Sequence, residues 1–157
     1  FFTLIGKMRV GLEEVRDSFF QLLEFLLIIN EFDLFNDVLN LYVNDFSRED
    51  YVKYGKMMQD RGLEELALKS YFTAAERNCQ DAHVYRYLAQ KASENGMYDE
   101  AFAMAAKALN LDNKDVENYV LIYNLYKAVG NNAEAEQINK AVKTLYDEID
   151  LSRLNNK

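Results

Sequence analysis

The chain has no proline and no tryptophan, a single cysteine and a single histidine. Without proline, only glycine, asparagine and aspartate can stop a helix abruptly, so helix ends are to be sought at those residues. The lone cysteine, Cys79, can form no intrachain disulfide. That argues against the small bridge-stapled secreted folds and for a reducing, cytoplasmic setting. Long apolar runs are also missing. The most hydrophobic stretch, Leu22 to Ile29, contains Glu24 and falls far short of the ~20 residues that a membrane-spanning helix needs, so it reads as a buried helix. Positive charge is scarce, with 18 Lys and Arg against 26 Asp and Glu and a net charge of −8. General attraction to nucleic acid or anionic lipid is therefore disfavoured, whereas a cationic partner surface suits the balance. No basic leader precedes a small-residue cleavage site, and the chain starts at Phe1, which reads as a segment of something longer.

Half of the residues are hydrophobic, among them 11 tyrosines and 10 phenylalanines, enough for a continuous core in one domain over residues 1–157. These residues recur with a fixed period. Gly62, Gly96 and Gly130 stand 34 residues apart, and the same interval separates Tyr51, Tyr85 and Tyr119, then Tyr54, Leu88 and Ile122, then Ala67, Ala101 and Ala135, and finally Ala74, Ala108 and Val142. A period of this length marks stacked repeats. Apolar spacing of three and four predicts paired helices within each unit. These run from Glu49 to Gln59 and Leu63 to about Arg77, from Val84 to Glu94 and Tyr98 to Leu109, and from Val116 to Val129 and Ala133 to about Ile149. Each glycine falls where the chain must reverse, and a left-handed backbone is cheap there only without a Cβ. Ahead of the repeats, Val15 to Ile29 and Phe32 to Val43 form a less regular pair around Asn30-Glu31, with Phe35 where a repeat has alanine, which demands a looser crossing. Phe1 to Val10 reads as a short helix or a linker.

A 34-residue helical hairpin with an early aromatic, a Leu followed by a small residue, a Gly-x-Tyr turn and alanines in its second helix resembles the tetratricopeptide repeat. Residues 82–115 carry the likeness in Tyr85, Leu88-Ala89, Gly96-Met97-Tyr98, Ala101, Ala105 and Ala108; residues 48–81 keep Tyr51, Gly55, Gly62, Ala67, Tyr71 and Ala74. Residues 116–149 keep Tyr119, Ile122, Tyr126, Gly130 and Ala135, but place Tyr123 where a small residue is usual and Asn139 where an apolar one is usual. The resemblance implies an all-α solenoid of antiparallel hairpins stacked into a right-handed superhelix. It divides the chain into a degenerate hairpin over 1–47, three repeats over 48–149 and a polar tail over 150–157.

The resemblance also implies a concave groove lined by the first helix of each pair, in which a partner peptide or helix lies. At its positions stand Lys53, Lys56 and Arg86 as a basic edge, Tyr87, Gln90 and Asn124 as an aromatic and amide centre, and Val120 and Leu121 as an apolar end. Such a surface suits a protein segment with an acidic group and an apolar anchor. The subgroup that clamps chaperone C-termini is a poor match, because Val52, Lys56, Tyr87, Glu117 and Leu121 occupy the clamp positions and Glu117 repels a carboxylate. Catalysis and cofactors have little footing. Cys79 and His83 form a Cys-x3-His pair without a third ligand, and no phosphate loop, His-Glu metal motif or nucleophile elbow is present. The methionines Met57, Met58, Met97 and Met104 read as core at helical spacing. The reading is a bacterial, non-enzymatic protein-interaction scaffold. The alternative is an accessory repeat domain of a larger bacterial enzyme such as a glycosyltransferase. Self-association through Phe19, Phe20, Phe25 and Leu26 is a further possibility if those side chains stand exposed.

Overall fold

In the computed structural model, which describes residues 11–146 and Leu151, the chain is an all-α solenoid with no strand among the described residues. Phe1 to Val10 and most of the stretch read as a polar tail lie outside them. An N-terminal hairpin of α1 (Leu12–Ile28) and α2 (Phe32–Tyr42) is followed by a short 3-10 turn, Val43–Asp45. Three more hairpins follow: α3 (Arg48–Asp60) with α4 (Glu64–Glu76), α5 (Ala82–Glu94) with α6 (Tyr98–Leu111), and α7 (Val116–Ala128) with α8 (Asn132–Leu145).

The helix starts recur as strictly as the stops. Ser47, Asp81 and Asp115, 34 residues apart, are the N-caps of α3, α5 and α7. Ser47 and Asp50 cap each other reciprocally; the Asp81 and Asp115 carboxylates accept the amides of His83 and Glu117, each at 3.0 Å. Caps of this kind contribute about 1 kcal/mol each by satisfying amides that the helix leaves open. The hairpin reversals run through Gly62, Gly96 and Gly130 at φ of +70°, +74° and +76°. In the N-terminal hairpin Asn30 takes the same role at φ +60°, one of the few residue types besides glycine that tolerates it. The junctions between repeats are closed by tyrosines. The Tyr85 hydroxyl donates to the Cys79 carbonyl at 3.0 Å, and that of Tyr119 to the Asn113 carbonyl at 2.8 Å, six residues back in both cases.

One pair of positions, equivalent in the three repeats, is filled in three different ways. Gly55 faces Tyr71, and a Cβ on Gly55 would lie 2.5 Å from the Tyr71 ring, which is wholly buried. At the positions 34 and 68 residues on stand Ala89 and Ala105, and Tyr123 and Asn139. In the first pair the side chain missing on one helix is made up by a ring from the other, while small residues on both α5 and α6 suit their close approach. The looser crossing expected of the N-terminal hairpin is present, since α1 with α2 approach less closely than the two middle pairs; α7 with α8 are intermediate.

Asn139, in a slot where an apolar residue is usual, is buried because it has a partner. Its Oδ1 accepts the amide of Leu151 at 2.9 Å, and Leu151 is only 1 % exposed, packed with Tyr123, Ala135 and Val142. The stretch read as a polar tail therefore contributes a core residue. Helix α8 correspondingly ends at Leu145, short of the expected Ile149, with Tyr146 in extended backbone. At the other end, Arg16 of α1 grips Asp50 of α3 through Nε and Nη2 at 2.8 and 3.1 Å. Asp50 is 2 % exposed and also accepts from the Ser47 amide and hydroxyl, so the N-terminal hairpin is tied to the first repeat at a buried carboxylate.

The close approach at Gly55 is directly testable. Gly55→Ala removes a helix-interior glycine, which by propensity alone adds about 1 kcal/mol of stability. The clash with Tyr71 reverses that sign, and a net loss of about 1–3 kcal/mol is expected in chemical denaturation. Gly96→Asn, at a reversal with no atom within 4 Å of an added Cβ, is expected to cost less than about 1 kcal/mol. Equal effects of the two changes would refute a packing role for Gly55.

Candidate functional site

Between α5 and α7, with Gln59 of α3 at one end, runs a groove of about 520 Å³. It exists because first helices of successive hairpins stand side by side with their polar flanks outward. Arg86, Tyr87 and Gln90 from α5 and Val120, Leu121 and Asn124 from α7 line it, together with His83, Glu94 and Glu117. Gln90 and Asn124 occupy equivalent positions 34 residues apart, so the groove carries one amide per repeat.

Lys53 and Lys56 do not line this groove. The Lys53 ammonium sits 4.6 Å over the ring of Phe20, held by the N-terminal hairpin, and Lys56 Nζ is 2.7 Å from Asp81. Arg86 lies in the groove, but its Nη1 is 2.6 Å from Asp115 and 2.9 Å from the Asn118 oxygen. The expected basic edge is thus engaged internally. The physical reason is the junction: each helix-capping aspartate is a fixed anion between repeats, and it draws the nearest cation of the preceding first helix. Burial alone would raise both carboxyls, but Lys56 with the His83 amide holds Asp81, and the Glu117 amide with Arg86 holds Asp115, below the ordinary carboxylate value.

Tyr87 lines the groove without offering an open platform. It is 8 % exposed, edge-on to Tyr71 with ring centres 5.0 Å apart, and the Lys91 ammonium lies 5.8 Å from its ring centre. Its hydroxyl is buried and has no hydrogen-bond partner among the described residues. Burial pushes its pKa up, with Lys91 partly opposing and Glu64 and Glu94 adding to the rise, so the phenol stays protonated and able to donate. The family resemblance placed Tyr87 at the groove but could not reveal the orphaned hydroxyl, which depends on the packing around it.

The groove floor continues in a shared acceptor, Gln59 Oε1, which receives the Tyr71 hydroxyl at 2.8 Å and contacts His83 Nε2 at 2.9 Å. Because the same oxygen already accepts from Tyr71, the imidazole donates through Nε2. Burial lowers the His83 pKa, with Lys56 and Arg86 adding to the effect and Asp81 and Asp60 opposing it. Cys79 is buried in the turn between repeats, and no group of three or more His, Cys, Asp or Glu able to hold a metal occurs among the described residues. Of the methionines read as core, Met58 is fully buried and Met57 and Met104 are partly buried. Met97, however, is 48 % exposed at the rim of a separate apolar depression of about 610 Å³ with Leu68 and Phe72.

His83 is the sole histidine, so its titration has a clean signature. The folded site resists a proton that the unfolded chain accepts near pH 6.5, so the unfolded state binds more protons below that value and stability falls with it. Denaturation midpoints are expected to decline from pH 7.5 toward the folded pKa of His83, and His83→Gln is expected to flatten that decline. A wild-type slope unchanged by the substitution would assign it to other groups.

No protein-family model matches the chain, and a search of curated proteins finds no match. Among solved structures the chain is similar to MamA from AMB-1 in a P212121 crystal, at a TM-score of 0.66 and 18% sequence identity, covering 90% of this chain and 78% of that one. No helix among the described residues is long and apolar enough to cross a membrane. The likeness and the hairpin architecture together show a tetratricopeptide-like helical-repeat fold.

Proposed function

We propose that the chain is a protein-interaction scaffold that receives an extended segment of a partner in the groove between α5 and α7. The observation that carries this reading is the buried, unpartnered Tyr87 hydroxyl in the groove wall. An orphaned buried hydroxyl costs about 1–3 kcal/mol, and an incoming acceptor recovers that cost on binding. Gln90 and Asn124, at the spacing of one repeat, supply amide donors and acceptors suited to a peptide main chain, and Val120 and Leu121 supply an apolar seat for one anchoring side chain. Lys56 and Arg86 are bound to Asp81 and Asp115, so the groove selects a segment through its main chain and an apolar anchor, not through an acidic group. Burial of the anchor carries most of the affinity, because exposed ion pairs contribute no more than about 1 kcal/mol each.

Peptides selected from a random display library against the whole chain provide the probe. Leu121→Ser is expected to weaken their binding about tenfold or more by removing the apolar seat. Tyr87→Phe is expected to leave stability unchanged or raised by up to about 1 kcal/mol while weakening binding several-fold. Lys53→Ala is expected to change neither. Selected peptides whose affinity ignores both Leu121 and Tyr87 would refute the groove as the binding site.

A further inference from the structure

The densest run of exposed large apolar side chains lies on the N-terminal hairpin. Leu22, Phe25 and Ile28 of α1 and Ile29 just after it stand out of the fold, and Phe32 and Leu34 at the start of α2 are also exposed; Phe25 is 54 % exposed. Phe19, Phe20, Leu23, Leu26 and Leu27 of the same helix turn inward onto the core. At 100° per residue, Leu22, Phe25 and Ile29 form a stripe on the flank away from those buried residues. Self-association through Phe19, Phe20 and Leu26 is accordingly ruled out by their burial, and of that set only Phe25 is exposed.

This apolar surface has a one-signed rim. Between Asp17 and Asp45 the chain carries six carboxylates and no lysine, arginine or histidine. Asp17, Glu24, Glu31, Asp33 and Asp37 are exposed and enter no ion pair among the described residues. In the repeats, by contrast, Lys56, Arg86 and Lys91 each hold an acidic side chain. We infer that the free flank of the N-terminal hairpin docks an amphipathic helix of a partner protein, with an apolar stripe flanked by lysine and arginine. The three-and-four spacing of Leu22, Phe25 and Ile29 is the spacing by which helices of a solenoid pack on one another, which favours a helical occupant. The carboxylate rim selects the basic flanks and suppresses competitors. A second copy meeting it face to face sets like charges together, and anionic lipid is repelled for the same reason.

Two synthetic amphipathic helices of about 18 residues, leucine with lysine and leucine with glutamate, test the inference by fluorescence anisotropy with the whole chain at low salt and at about 0.5 M salt. The lysine helix is expected to bind at both, more weakly at high salt, and the glutamate helix to bind at neither. The F25S/F32S double variant, altered only at exposed positions, is expected to lose about tenfold or more in affinity without a change in thermal melting. Glu24→Gln combined with Asp33→Asn and Asp37→Asn keeps the apolar stripe and is expected to lose several-fold in affinity and most of the salt dependence, an independent readout should F25S/F32S fail to fold. Equal binding by F25S/F32S would reduce the effect to general acidity and overturn the inference. So would equal binding of the glutamate helix, a dimer in sedimentation that Phe25→Ser abolishes, or binding that emerges only when residues 1–10 are removed.

Discussion

How closely the paired helices can approach governs the rest of this solenoid. The first repeat solves the problem with no side chain at Gly55, into which the Tyr71 ring fits with no room for a methyl group. The second uses alanine on both sides, at Ala89 and Ala105; the third sets Tyr123 against Asn139. Because each hairpin must close at this point before its outer faces can stack, the spacing of the next hairpin, and hence the groove between α5 and α7, inherits the geometry. Interiors packed to crystal-like density leave little slack for alternatives.

A second constraint works through charge. Repeats of fixed length put a helix-capping residue at every junction, and at Asp81 and Asp115 that cap is an anion. Each captures a cation of the preceding first helix, Lys56 or Arg86. The pairing staples adjacent repeats and at the same time discharges the groove. No cation is left open there: the groove presents amide side chains on α5 and α7, an apolar end, the carboxylates of Glu94 and Glu117, and one hydroxyl without a partner among the described residues. The N-terminal hairpin is its opposite, with exposed apolar rows, a carboxylate rim and no cation of its own between Asp17 and Asp45. Two surfaces of such different chemistry on one scaffold suit two different kinds of partner.

The sequence by itself determined the architecture, and its resemblance to a known repeat pointed to the groove. The 34-residue interval of glycines, tyrosines and alanines sets where helices stop, which residues turn inward and which first helices stand side by side, because helical periodicity and the φ preference of glycine are local properties. Gln90, Asn124, Val120 and Leu121 were placed in the groove by the resemblance to the tetratricopeptide repeat, through the register that the repeat supplies. Tertiary structure decided everything that depends on which side chain finds which partner. Lys53 over Phe20, Lys56 with Asp81, Arg86 with Asp115 and Arg16 with Asp50 join residues 25 to 34 positions apart, at distances no periodicity encodes. The same holds for Leu151, drawn into the core by Asn139, and for the Tyr87 hydroxyl, left alone because packing closed around it. Spacing specifies a face of a helix, but pairing energies depend on the three-dimensional neighbours that the fold brings to that face.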